Sequence, residues 1–287
     1  MEYKETDLQS DFVKKLQNFE DAPKHLWQYG ELPENRNRHK VVSIVGSRRC
    51  TPYGEEQAYQ IAYRLAQRGV IIVSGMAYGV DAAAHRGCLD AGGTTVAILG
   101  TPIDHLYPRS NEKLAHRIVE SGGAIISEYP VGTETQRYHF LQRNRIVAGL
   151  ADVVVITEAS EHSGTITTAQ QALDYGIQSF AIPGNLGSPM SAGCNRLIST
   201  TRSSIYTDIS DIYIALGMYG CAHREADLGD LSPEEAKIIE LLKRGVKQSE
   251  TLAKNMNIKV SELTQFLVML EIKGLVISRP KGEWLLL

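Results

Sequence analysis

Val41-Val42-Ser43-Ile44-Val45-Gly46-Ser47-Arg48 is the stretch whose reading decides the fold. Four of its first five residues are apolar and β-branched, which favours a buried strand, and Gly46 ends it. Just downstream Ala58, Ile61, Ala62, Leu65 and Ala66 recur at helical spacing, and Gly69 closes that helix. The alternation then repeats. Strands are expected over residues 70–73, 95–99, 124–127, 152–157 and 179–182, with helices over 81–89, 112–120, 140–149 and 166–175. Short, nearly continuous apolar strands separated by helices imply a sheet covered on both faces. The expected class is α/β, an extended Rossmann-like, doubly wound, mostly parallel sheet. Its ligand belongs beyond the carboxyl ends of the strands.

Outward from this core, residues 1–40 are polar and read as a capping segment, with Leu26, Trp27 and Tyr29 against the domain at 41–217. Residues 218–230 read as a linker. In 231–287, Ser232, Pro233 and Glu235 form a helix start with a capping box. A helix is expected from Pro233 with Ile238, Ile239 and Leu242 on its apolar face, further helices at 249–256 and 260–273, then a hairpin around Arg279-Pro280-Lys281-Gly282. That order suggests a small winged-helix domain.

The chain has 287 residues, 43% of them hydrophobic, and a formal net charge of −3. Dominant disorder is excluded, and no apolar run approaches the roughly 20 residues of a membrane-spanning helix. The first residues lack the apolar core of a secretory signal. Cys50, Cys88, Cys194 and Cys221 lack metal-type spacing, so reduced thiols in the cytoplasm and no metal or cofactor are expected. The charge excludes a protein that coats duplex DNA by bulk basicity. A nucleic-acid site must be a local patch, and between residues 41 and 217 every basic residue except Lys113 is an arginine.

Four strand ends carry small or hydroxyl residues suited to an anion: Gly46-Ser47-Arg48, Ser74-Gly75 with Gly79, Ser163-Gly164-Thr165 with Thr167, and Pro183-Gly184. Backbone N–H groups near Ser47 and the Arg48 fork suit a phosphate. A fifth segment, Arg137 to Arg145, mixes Tyr138, His139 and Phe140 with Arg143, Asn144 and Arg145. Aromatic rings stack on unpaired bases while arginines neutralise phosphates. The last three are consecutive and cannot share one helix face, so at least one arginine should point inward. Asp81 and His85 lie one helical turn apart; packing is the preferred reading, an acid–base pair the alternative.

These motifs resemble the DNA-processing protein A family (DprA, also called Smf). The resemblance runs in order through Gly46-Ser47-Arg48 with Thr51 and Tyr53-Gly54, Ser74 to Asp81 with Ala84-His85, Tyr107-Pro108, and Ser127-Glu128. It continues through Phe140 with Arg143-Asn144-Arg145, Glu158-Ala159, Ser163-Gly164 with Thr167, and Pro183-Gly184. The sequence departs from the family pattern at Gly100-Thr101-Pro102, at Leu141 where a proline is usual, and at Ser199-Thr200-Thr201 where Gly-Ala is usual. The resemblance implies a nonenzymatic, cytoplasmic protein that binds single-stranded DNA, forms a homodimer, protects incoming strands in natural transformation and loads the RecA recombinase. Arg48 is then a DNA contact, with Phe140 and the Arg-Asn-Arg run nearby. Apolar residues Ile209, Ile212, Tyr213, Ile214, Leu216 and Met218 are the expected dimer surface. Two other readings stand beside this one. One is a Rossmann-like nucleotide-processing enzyme such as a nucleoside-monophosphate phosphoribohydrolase, whose Pro-Gly-Gly-x-Gly-Thr loop is absent here. The other is a regulator whose winged helix reads duplex DNA, for which the third helix is poor in Lys and Arg.

Overall fold

A computed structural model describes residues 3–34, 39–218, 231–272, 275–279 and 282–286, with Ile272, Ile277, Arg279 and Leu285 described by backbone alone. The expected linker beyond Met218, Cys221, Lys273 and Pro280-Lys281 fall outside the described residues. Contacts divide the chain into two compact units, Met1–Thr207 and Asp208–Leu287.

The first unit is built on a nine-stranded sheet. Its strands are β1 (Tyr3–Glu5), β2 (Trp27–Gly30), β3 (Val41–Val45), β4 (Ile71–Ser74), β5 (Thr95–Leu99), β6 (Ala124–Ser127), β7 (Val153–Ile156), β8 (Gln178–Ala181) and β9 (Ser204–Ile205). They lie in the order β1-β2-β6-β5-β4-β3-β7-β8-β9. From β6 to β9 every pairing is parallel; β2 runs antiparallel to β6, and β1 to β2. The strand order reverses between β3 and β7, and such a switch point opens the binding crevice of a doubly wound sheet. The helices of this unit are α1 (Pro52–Ala66), α2 (Val80–Asp90), α3 (Glu112–Glu120), α4 (His139–Leu150), α5 (Gly164–Asp174) and α6 (Ala192–Ser199).

Both faces of the sheet are buried, so strand residues alternate between two cores. Val96, Ile98 and Ile126 join Ile146, Val147 and Leu150 of α4. Ala97, Leu99 and Ile125 join Leu114, Ala115 and Ile118 of α3. Residues 3–34 supply the antiparallel edge β1–β2, and Phe12, Val13, Leu16 and Leu26 sit in the core. Leu197-Ile198 lies within α6, and Thr201 just beyond that helix takes the left-handed conformation (φ +54°) that usually favours glycine.

The second unit contains α7 (Ile209–Ala215), α8 (Pro233–Lys243), α9 (Ser249–Met256), α10 (Val260–Ile272) and the antiparallel pair β10 (Val276–Arg279) and β11 (Glu283–Leu286). Ser232 caps α8, accepting from the Glu235 N–H at 3.2 Å while the Glu235 carboxylate accepts from the Ser232 N–H at 2.8 Å. Ile238, Leu252, Leu263, Leu267 and Trp284 share one core. Three helices followed by a hairpin is the order from which a winged helix is expected. Of the apolar residues expected to form a dimer surface, Ile209, Ile212 and Tyr213 of α7 and Leu216 just beyond it are buried, while Ile214 and Met218 are half-buried.

Because Leu16 is a core residue, Leu16→Ala is expected to cost about 2–5 kcal/mol of stability through lost burial and the cavity left behind. Urea denaturation measures this; a loss below about 1 kcal/mol, typical of surface positions, would refute the core placement of Leu16.

Candidate nucleic-acid interface

The carboxyl ends of β3 and β4 and the N-termini of α4 and α5 enclose a cleft of about 600 Å³. Ten of the expected site residues line it: Gly46, Ser47, Arg48, Gly75, Phe140, Arg143, Asn144, Ser163, Gly164 and Thr165. Tyr107, Arg137, Leu141 and Thr168 line it as well.

At its base is Arg143, 4% exposed. Its Nη1 donates to the Gly75 carbonyl at 2.6 Å and to the Ile98 carbonyl, joining the ends of β4 and β5. Burial pushes the guanidinium down to about 10, with Asp81 pulling the other way, so it remains charged at neutral pH. Gly75 is required here: a Cβ would lie 2.3 Å from Arg143 Nη1. Asp81, also buried, accepts from the N–H groups of Gly75 (3.1 Å) and Ala77 (3.3 Å). Burial raises its pKa above the ordinary carboxylate value, opposed first by the Arg143 charge. The loop between them strains the backbone, since Met76 is buried at φ +60°. Arg143 is thus the inward-pointing arginine, a positioning group rather than a free phosphate donor.

Arg48 is its opposite. It is exposed, and no hydrogen bond or ion pair engages its guanidinium among the described residues. It rests 5.2 Å from the centre of the Phe140 ring, a cation–π contact. Phe140 in turn packs at 5.7 Å against Tyr107. Glu158, the natural competitor for Arg48, accepts instead from the Thr51 N–H (2.7 Å) and hydroxyl (2.6 Å) at the start of α1. Arg48, Phe140 and the half-exposed Tyr107 therefore set a cation beside two rings at one rim.

Other expected residues hold the frame. Ser47's N–H donates to the Glu158 carbonyl at 2.8 Å, so it is not free for a phosphate. Ser74 is fully buried and donates to the Ile44 carbonyl at 2.6 Å. Gly79 precedes α2 at φ +71°, where a Cβ would meet the Ser47 carbonyl at 2.5 Å. Arg145 pairs with Glu128 at 2.6 Å, away from the cleft, because it projects from another face of α4. Thr167 faces solvent outside the cleft. Gly184 exchanges two hydrogen bonds with the Asn195 side chain. Sequence reasoning did not select Tyr107, Leu141 or Thr168 as contacts, while Arg137 belongs to the arginine-rich segment it singled out. The signal for Tyr107 and Leu141 was an exposed apolar residue in or beside a strand-end loop.

His85 is fully buried and does not line the cleft. Its Nδ1 lies 2.7 Å from the Thr95 hydroxyl, which donates at 2.8 Å to the Ile72 carbonyl. Nδ1 therefore carries the proton, and burial lowers the imidazole pKa to about 3. The residue fixes α2 on the sheet, which is the packing role preferred from sequence. In the second unit, the exposed positions of α10 are Val260, Ser261, Glu262, Thr264, Gln265, Val268 and Met269. They include no cation to meet a DNA backbone, which disfavours the duplex-reading alternative.

A sequence model of the family described as DNA recombination-mediator protein A matches residues 6–217. The DprA protein of Mycobacterium tuberculosis is 37% identical over 272 residues, covering 93% of this chain and 69% of the relative. Protein Smf of Escherichia coli is 39% identical over 178 residues, and the matched part spans 47% of its length. Among solved structures, DNA processing protein A of Streptococcus pneumoniae superposes with a TM-score of 0.67 at 33% identity, covering 74% of each chain. DNA processing protein A of Helicobacter pylori, described for its single-stranded DNA binding mode, gives a TM-score of 0.66 at 30% identity, covering 76% of this chain and 96% of that one.

Two outcomes follow from the geometry. Arg143→Met removes the partner of two carbonyls and a buried carboxylate, and should cost about 3–5 kcal/mol in urea denaturation. Since the His85 pKa is lower folded than unfolded, the unfolded chain takes up a proton that the folded chain refuses. The stability held by neutral His85 is complete above pH 6.5 and falls by about 1.4 kcal/mol per pH unit as the pH drops from there towards about 3. The stability difference between His85→Gln and the parent should shrink with that slope between pH 6 and 5; a pH-independent difference refutes the assignment.

Proposed function

Because the chain belongs to the family of DNA recombination-mediator protein A, we propose that it binds single-stranded DNA in the cleft between the ends of β3 and β4 and the N-termini of α4 and α5. The observation that carries this reading is Arg48, exposed, unpaired among the described residues and stacked on Phe140. A cation for phosphate and rings for unpaired bases then lie within one site, as sequence-tolerant single-strand binding requires. Arg137 adds a second exposed cation to the lining. The single-stranded DNA binding named for the Helicobacter pylori relative supports the same reading.

The protein acts, on this reading, in the cytoplasm as a nonenzymatic mediator that protects single strands and passes them to RecA. Asp81 is the one acidic side chain lining the cleft among the described residues, and it is engaged by two backbone N–H groups. It is a poor candidate for the general base that a phosphoribohydrolase would need. A homodimer is part of the proposal through the family resemblance.

Binding should favour single strands over duplex of equal length and weaken with salt, with a log–log slope of about 0.7 per phosphate contacted. Arg48→Ala removes a charge-assisted bidentate contact of about 1.5–3 kcal/mol, or about ten- to hundredfold in affinity. Arg48→Lys should recover part of that loss. Thermal melting should barely change, because no protein group depends on Arg48 for a hydrogen bond. Fluorescence anisotropy with both DNA forms at several salt concentrations measures all of this; equal affinity for blunt duplex at physiological salt would sink the proposal.

A further inference from the structure

We infer that the N-terminus of α5 seats a phosphate monoester carried on a nucleoside, so that the cleft takes a 5′-phosphorylated nucleotide, either free or as the end of a strand. The inference rests on the single-strand reading of the cleft and specifies which part of the ligand goes deepest.

Two backbone donors at this end of α5, the N–H groups of Gly164 and Thr165, have no partner among the described residues. Ser163, in the N-cap position, makes no side-chain capping bond, and its buried hydroxyl is unpartnered. Thr168 supplies the independent observation. It is 2% exposed, yet it lines the cleft, and its hydroxyl makes no hydrogen bond among the described residues. A threonine within a helix ordinarily satisfies its hydroxyl on the carbonyl one turn back, as Thr264 does on Val260 at 2.8 Å. Thr165 and Thr168 are three residues apart, so both hydroxyls rise from one face of α5, and both residues line the cleft. Leaving the buried Ser163 hydroxyl unsatisfied is costly, and the Thr168 hydroxyl, unpartnered among the described residues, opens on the cleft, so a group that satisfies both is implied.

The donors define that group. Three hydroxyls and two N–H groups at the positive end of an eleven-residue helix suit a compact anion with several free oxygens. An internal phosphodiester offers two free oxygens and one charge. A terminal phosphate offers three and a charge of about −1.5 to −2. Arg48 and Arg137 favour that charge, while Asp81 is held by Gly75 and Ala77. The rings of Phe140 and Tyr107 on the same cleft are available to a base. The volume of about 600 Å³ falls within the range of small-ligand pockets.

The test uses the full chain with two matched pairs: a short oligothymidylate bearing a 5′-phosphate or a 5′-hydroxyl, and thymidine 5′-monophosphate or thymidine as competitors of a labelled single strand. The phosphorylated member of at least one pair should bind about tenfold more tightly, the worth of one charge-assisted hydrogen bond. A preference in both pairs includes strand ends among the ligands; a preference confined to the competitors assigns the site to free nucleotides. Thr168→Val, close in shape, and Ser163→Ala should each move the phosphate-to-hydroxyl ratio towards one, and melting curves check that each variant folds. If single strands bind but neither pair discriminates, the inference fails and the single-strand reading survives. If the monophosphate binds and no strand does, the single-strand reading fails and the phosphate site stands.

Discussion

The architecture of the cleft depends on one buried cation. Arg143 reaches from α4 across the ends of β4 and β5, and the carbonyls of Gly75 and Ile98 accept from a single nitrogen. A guanidinium removed from water is tolerable only when its donors are satisfied and counter-charge is near, and Asp81 provides that counter-charge from the start of α2. The requirement spreads outward. Residue 75 can carry no side chain, residue 76 must take a left-handed conformation, and α4 is fixed at the angle that brings Phe140 beneath Arg48. The exposed arginine is positioned by the buried one.

This division explains why neighbouring arginines have different fates. Arg143, Asn144 and Arg145 follow one another, and each residue turns about 100° around the helix. One therefore enters the core, one borders the cleft, and one pairs with Glu128 on another side. The same rotation separates Thr167, which faces solvent, from Thr168, which lines the cleft.

Six of the seven parallel strands and their helices were legible because apolar, β-branched runs and helical spacing are local signals. The glycine and hydroxyl loops were legible as strand ends, and seven of the residues chosen there, with Phe140, Arg143 and Asn144 of α4, do meet at the cleft. What could not be read was direction. Composition marks Ser74, Gly79 and Gly184 as loop residues, but only the packed backbone shows that they bond to or crowd against their neighbours. Strand β1 escaped notice because Tyr3-Lys4-Glu5 has no apolar alternation; pairing with β2, not hydrophobic burial of its own, makes it a strand.

The antiparallel edge also constrains the order in which the chain can assemble. Trp27 of β2 pairs with Ser127 of β6, so the strand made early must wait for one synthesised a hundred residues later. An isolated two-stranded β1–β2 pair is at best marginally stable in water. On a translating ribosome, residues 1–34 would remain without their template while β3, β4 and β5 emerge and pair. Phe12, Val13, Leu16 and Leu26 stay unshielded through that interval, the period in which nascent chains are most exposed to association and to chaperones. The beginning of this chain finds its place only once the middle of its first unit has been made.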